Sequence, residues 1–159
     1  GSIRDIIPDC TLRTAFIVGY PGETEDMLLE LLDFVREVRF DRLGAFIYSP
    51  EEATPASSLP DPVGRLTAEE RFERLMAVQE EIAAEKNRKL EKQTVTVLVD
   101  GFENSNGMYF GRTRGDAPEI DQTVWMKGRA AAGEFRKVLI DETSPYDLYG
   151  TIIDGGDIK

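Results

Sequence analysis

Leu12-Arg-Thr-Ala-Phe-Ile-Val-Gly-Tyr-Pro-Gly-Glu-Thr24 is the stretch that decides the reading of the amino-terminal half. Residues 12–20 form an apolar, β-branched run, the pattern of a strand buried on both faces as in a parallel sheet. Pro21-Gly22 makes a turn, Thr24 is a good N-cap, and Glu25 and Asp26 favour the start of a helix. Met27, Leu28, Leu31, Leu32, Val35 and Val38 then recur at helical spacing, which predicts a helix of about four turns. Residues 43–48 return as a second apolar strand. Strand, helix, strand in this order is one βαβ unit with a right-handed crossover.

Downstream, residues 49–66 are rich in Pro, Ser and Glu and read as a loop. Thr67 and Glu70 form a capping box that opens a long helix, whose apolar face runs Phe72, Leu75, Met76, Ile82, Ala83 and Leu90. Ending near residue 91, it spans on the order of 36 Å, enough to bridge two domains. After residue 92 the period changes from helical to alternating. Strands are expected at Thr94–Val99, Met108–Thr113, Thr123–Lys127, Phe135–Ile140 and Tyr149–Ile153. Five short strands punctuated by Gly, Asn, Asp and Pro predict a small antiparallel barrel. The domain reading is residues 1–66 for the end of an α/β domain, 67–92 for a bridging helix and 93–159 for the barrel. Two strands and two helices leave parallel edges unpaired, so the α/β part is expected to be a fragment of a larger sheet. Gly1-Ser2 reads as the scar of a cleaved tag.

Composition limits the chemistry. The 159 residues include one cysteine, Cys10, and no histidine. That excludes an internal disulfide, Ser-His-Asp and Cys-His mechanisms, and argues against a zinc or iron–sulfur site within the chain. No run of about 18 apolar residues is present, so no membrane span is expected, and the cytoplasm is the expected compartment. The net charge is −11. The first 92 residues carry 19 acidic and 12 basic groups and the remainder 11 and 7. Both parts repel a phosphate backbone at long range, which favours a basic partner; the plainer reading is an acidic surface that keeps the chain soluble.

Phe16-Ile-Val-Gly-Tyr-Pro-Gly-Glu-Thr24, with the acidic amphipathic helix behind it, resembles a signature of the methylthiotransferase branch of radical-SAM enzymes. Phe46-Ile-Tyr-Ser-Pro-Glu-Glu-Ala-Thr-Pro-Ala56 resembles the family's aromatic-x-Tyr-Ser-Pro stretch, and the terminal barrel resembles the OB-like TRAM module such enzymes carry. Relatives acting on tRNA tend to have Arg-Pro after Tyr-Ser-Pro. Here Glu51-Glu52 stands in that place, as in the type that modifies a ribosomal protein. Val99-Asp-Gly101, Gly111-Arg-Thr113 and Asp116-Ala-Pro-Glu-Ile-Asp121 resemble the barrel of that same type. Two positions depart from the family pattern: Ala53 where Gly is usual and Tyr20 where Phe is common.

The resemblance implies the end of a partial TIM-like radical-SAM barrel joined to a five-stranded TRAM barrel. It implies an intact enzyme that uses S-adenosylmethionine and two 4Fe-4S clusters to methylthiolate the β-carbon of an aspartate in small-subunit ribosomal protein twelve. The Cys-x3-Cys-x2-Cys triplet of such enzymes does not occur here, so neither a complete cofactor site nor activity is expected of this chain alone. By the same resemblance, Ile17, Gly19, Glu23 and Tyr48 line the cofactor. Set against that, Gly19 and Gly22 need only permit the turn, Glu23 and Thr24 need only cap, and Tyr48 need only plug the barrel mouth. Glu51, Asp100, Arg112, Asp116, Glu119 and Asp121 are candidates for contact with a basic ribosomal protein. Arg112, Arg114, Lys127 and Arg129, with Tyr109, Phe110 and Trp125, are the residues an RNA partner would use instead. Acidic residues interleave with the basic ones, which makes RNA the weaker reading.

Overall fold

The computed structural model describes residues 3–51 and 54–153; Gly1-Ser2, Glu52 and Ala53 lie outside the described residues. The chain divides into two compact units, Gly1–Ile82 and Ala83–Lys159. The first contains α1 (Ile3–Ile6), β1 (Arg13–Val18), α2 (Glu25–Val38), β2 (Arg42–Ile47), a 3-10 turn at Pro55–Ser58 and most of α3 (Arg65–Arg88). β1 and β2 pair in parallel, from Arg13 opposite Arg42 to Val18 opposite Ile47.

α2 begins as its sequence dictates: the Thr24 side chain accepts from the Met27 amide at 3.3 Å. Its buried stripe is Leu28, Leu32 and Val35, which packs with Val18 and with Leu75, Val78 and Ile82 of α3. Both helices therefore cover one face of the sheet. The other face is bare, with Ile17 58% and Phe46 61% exposed side by side. This corrects the expectation of a strand buried on both faces, since α2 and α3 reach only the side of Phe16 and Val18. Met27 is likewise exposed, because it falls one position outside the stripe that faces the sheet.

α3 also starts earlier than expected. Ala68 N donates to Gly64 O, so the first turn is already formed when Thr67 is reached, and the Thr67–Glu70 capping box is not used. The helix ends at Arg88, and the chain passes through tight turns to β3. Three polar residues on it, Arg71, Gln79 and Asn87, are buried.

The second unit is a closed barrel of β3 (Thr94–Glu103), β4 (Met108–Arg112), β5 (Thr123–Lys127), β6 (Phe135–Thr143) and β7 (Asp147–Ile152), in the order β3-β4-β5-β7-β6. Alternate residues point inward, and Val97, Val99, Val124, Met126, Val138, Ile140 and Leu148 form its core. Four pairings are antiparallel, but β5 and β7 run parallel, a departure from the all-antiparallel expectation. Parallel neighbours arise because β6 intervenes in the chain and takes the far side of β7. Register shifts at Val99/Gly101 and Ile140/Glu142 bend β3 and β6 so that five strands can close. Two glycines let paired strands come close: a Cβ added at Gly111 would lie 2.2 Å from Leu98 O on β3, and one at Gly150 2.3 Å from Leu139 O on β6. Among the described residues no helix is long and apolar enough to cross a membrane.

Candidate functional site

The carboxyl ends of β1 and β2 open into a cleft of about 540 Å3. Parallel strands place their ligand sites at this end, where the chain turns away and leaves room. Gly19, Tyr48 and Ser49 form the strand side of the cleft, Ala56 and Leu59 its loop side, and Arg65 and Glu69 its helical rim. Gly19 has φ +76°, and a Cβ there would lie 2.6 Å from Ala68 Cβ, so the position is doubly restricted to glycine. Tyr48 follows Ile47 directly, and its amide continues the ladder by donating to Val18 O at 2.9 Å. Its ring meets Tyr20 edge-on at 5.0 Å. The Tyr48 hydroxyl is buried with no protein partner, an orphan donor and acceptor at the wall of the cleft. Arg65 Nε donates to Glu69 Oε1 at 2.7 Å on the rim.

The four residues expected to line a cofactor thus divide. Gly19 and Tyr48 meet at the cleft. Ile17 lies on the bare sheet face. Glu23 is turned inward: its Oε1 accepts from Gly19 N at 3.0 Å and from Arg71 Nη1 at 2.6 Å. Arg71, 6% exposed, also donates to Glu23 O at 3.1 Å. This pair fixes the Gly19–Glu23 turn to α3. Arg71 was not singled out in the sequence; the available signal was a lone arginine in register with Ala68, Leu75 and Val78. Glu51 is exposed after Pro50.

In the barrel, the acidic candidates are largely engaged. Asp100 is paired with Arg112. Asp116 is 8% exposed, and one carboxylate oxygen accepts from Thr113 N at 3.1 Å and Thr113 Oγ1 at 2.5 Å. Asp121 accepts from Ala117 N at 2.6 Å. Asp116 therefore does not present an acidic face; it folds the loop between β4 and β5, because a buried carboxylate needs donors close by. Glu119, at φ +64°, is exposed at the tip of that loop. Arg114, Lys127 and Arg129 are exposed as well. Tyr109 packs against the core, whereas Phe110 and Trp125 stand on the outer side, 5.9 Å apart and half-buried.

A closed five-stranded OB-like barrel that follows an α/β unit in the chain defines the class. Residues 93–153, which include all five barrel strands, match the family described as TRAM domain. Beyond the barrel, the chain is 49% identical over 154 residues to the ribosomal protein uS12 methylthiotransferase RimO of Chlorobaculum parvum, covering 95% of this chain and 35% of the relative. The proteins of the same name from Clostridioides difficile and Herpetosiphon aurantiacus are 47% and 44% identical, covering 95% and 96% of this chain and 34% and 33% of theirs. The chain is thus similar along nearly its whole length to these methylthiotransferases, and it spans about a third of their length.

Proposed function

We propose that this chain is part of a radical-SAM methylthiotransferase that modifies an aspartate of ribosomal protein uS12, in the cytoplasm where ribosomes are assembled. The observation that carries the reading is the identity of 44–49% to enzymes of that name along 95–96% of the chain. In this reading the α/β unit supplies one wall of the cofactor site and the TRAM domain binds the protein substrate. The orphan Tyr48 hydroxyl would offer the cofactor a hydrogen bond, which fits the adenosine part of S-adenosylmethionine, while Gly19, packed against Ala68, would shape the turn beside it. When bound, S-adenosylmethionine supplies the radical chemistry. Glu23 and Arg71 would hold the Gly19 turn in shape rather than touch the cofactor. Iron–sulfur clusters do not fit this chain, which has one cysteine, no histidine and, among the described residues, no group able to hold a metal.

The alternative, an RNA-binding module of a tRNA-modifying relative, has the exposed Arg114, Lys127 and Arg129 in its favour. Mass spectrometry of uS12 after incubation with the full-length enzyme, its clusters reconstituted, tests the main reading. Addition of a methylthio group to an aspartate is expected. Transfer to tRNA with uS12 left unmodified would replace this reading with the RNA one.

A further inference from the structure

Phe110, Trp125 and Tyr149 occupy one row across three adjacent strands of the barrel, with Phe110 opposite Trp125 and Trp125 opposite Tyr149. Their chain neighbours Gly111, Val124, Met126, Leu148 and Gly150 are all buried, so strand alternation sends the three rings outward. Phe110 lies over Gly101 of β3, where an added Cβ would come within 2.8 Å of its ring, so that end of the row is pinned flat. At the other end the row continues to Glu142 of β6, directly opposite Tyr149. Asp147 stands two residues from Tyr149 on the same strand. Glu142 and Asp147 both raise the pKa of the Tyr149 phenol after burial has done so, which marks a negative potential at this end. The nearby Arg112 has its charge matched by Asp100; Lys127 borders the row on the side away from Asp147.

We infer that the Phe110–Trp125–Tyr149 row, closed by Glu142, is a docking strip for an extended protein segment carrying arginine or lysine. Aromatic faces attract guanidinium and ammonium groups, and carboxylates at the end of the row supply the complementary charge. Trp and Tyr are also the side chains that anchor protein interfaces most often. A nucleic acid could stack on the same rings, but its phosphates would meet Glu142 and Asp147. The strip rests on the proposed function only in taking uS12 as the source of the segment.

Trp125 is the single tryptophan of the chain, so its emission reports on the strip directly. The full chain is titrated with uS12, with a synthetic peptide alternating arginine and glycine, with the same peptide carrying glutamine for arginine, and with oligouridylate. Fluorescence and calorimetry are read together. The arginine peptide and uS12 are expected to change Trp125 emission and the glutamine peptide to leave it unchanged. Glu142→Lys, an exposed position, is expected to weaken arginine-peptide binding about ten-fold or more. Phe110→Leu, with its circular dichroism checked against the parent, is expected to weaken it as well. Unchanged emission with the arginine peptide, or unchanged affinity in Glu142→Lys, overturns the strip, as does tighter binding of oligouridylate. Binding of uS12 by calorimetry with Trp125 silent would sink the strip and leave the proposed function standing. A response to the arginine peptide with no binding of uS12 would do the reverse.

Discussion

Gly19 carries two constraints at once, a left-handed backbone and the close approach of Ala68. Gly19→Ala is expected to cost about 1–3 kcal/mol in urea unfolding. The buried pair beside it makes a sharper claim. Arg71→Leu leaves the Glu23 carboxylate buried without its cation, a loss of about 3–5 kcal/mol, and adding Glu23→Met should recover much of it. Equal instability of the single and double variants would mean that the pair does not act as a unit. Tyr149 gives a pH dependence. Burial first, then Asp147 and Glu142, raise its phenol above the ordinary 10.0. The folded chain then holds this proton more tightly than the unfolded one. The resulting stability is complete below about pH 10 and is lost as pH rises through the folded value. Denaturation curves across that range should show a shallower alkaline loss for Tyr149→Phe than for the parent.

At the scale of elements, Asn87 near the end of α3 donates to Ser144 O at 2.8 Å and Pro145 O at 3.2 Å, fixing the turn between β6 and β7. Asn87→Ala is expected to lower stability by about 1–3 kcal/mol, read as a fall in the unfolding midpoint. Asn87, Gln79 and Arg71 explain why α3 was only partly legible in the sequence. Each is polar yet buried, and each hydrogen-bonds a backbone carbonyl elsewhere in the chain, so an apolar count along the helix passes over them. The barrel strands were easier to read because alternation survives in Val97 and Val99, Val124 and Val138 and Ile140 without such exceptions. What the alternation could not give was partner choice, hence the unexpected parallel β5–β7 pair. In the cleft, Gly19 and Tyr48 were legible from their place at strand ends. The fate of Glu23 and Asp116 was not, because whether a carboxylate faces solvent or a donor depends on residues distant in sequence or on the fold of a loop.

For the molecule as a whole, the bare sheet face is the chief liability. Ile17 and Phe46 place two large apolar side chains together in solvent on a two-stranded sheet with unpaired edges. Light scattering of the isolated chain is expected to show concentration-dependent association, and Phe46→Ser should reduce it.

The filled core of the barrel has a consequence for how this protein can change over generations. Val97, Val99, Val124, Met126, Val138, Ile140 and Leu148 fill the interior, so whatever the barrel discriminates must be read by outward positions. Inward and outward residues alternate along β4, β5 and β7 and answer to separate demands. A saturation scan should therefore show tolerance rising and falling with every second residue. New partners could be acquired through the permissive set while the scaffold stays as it is.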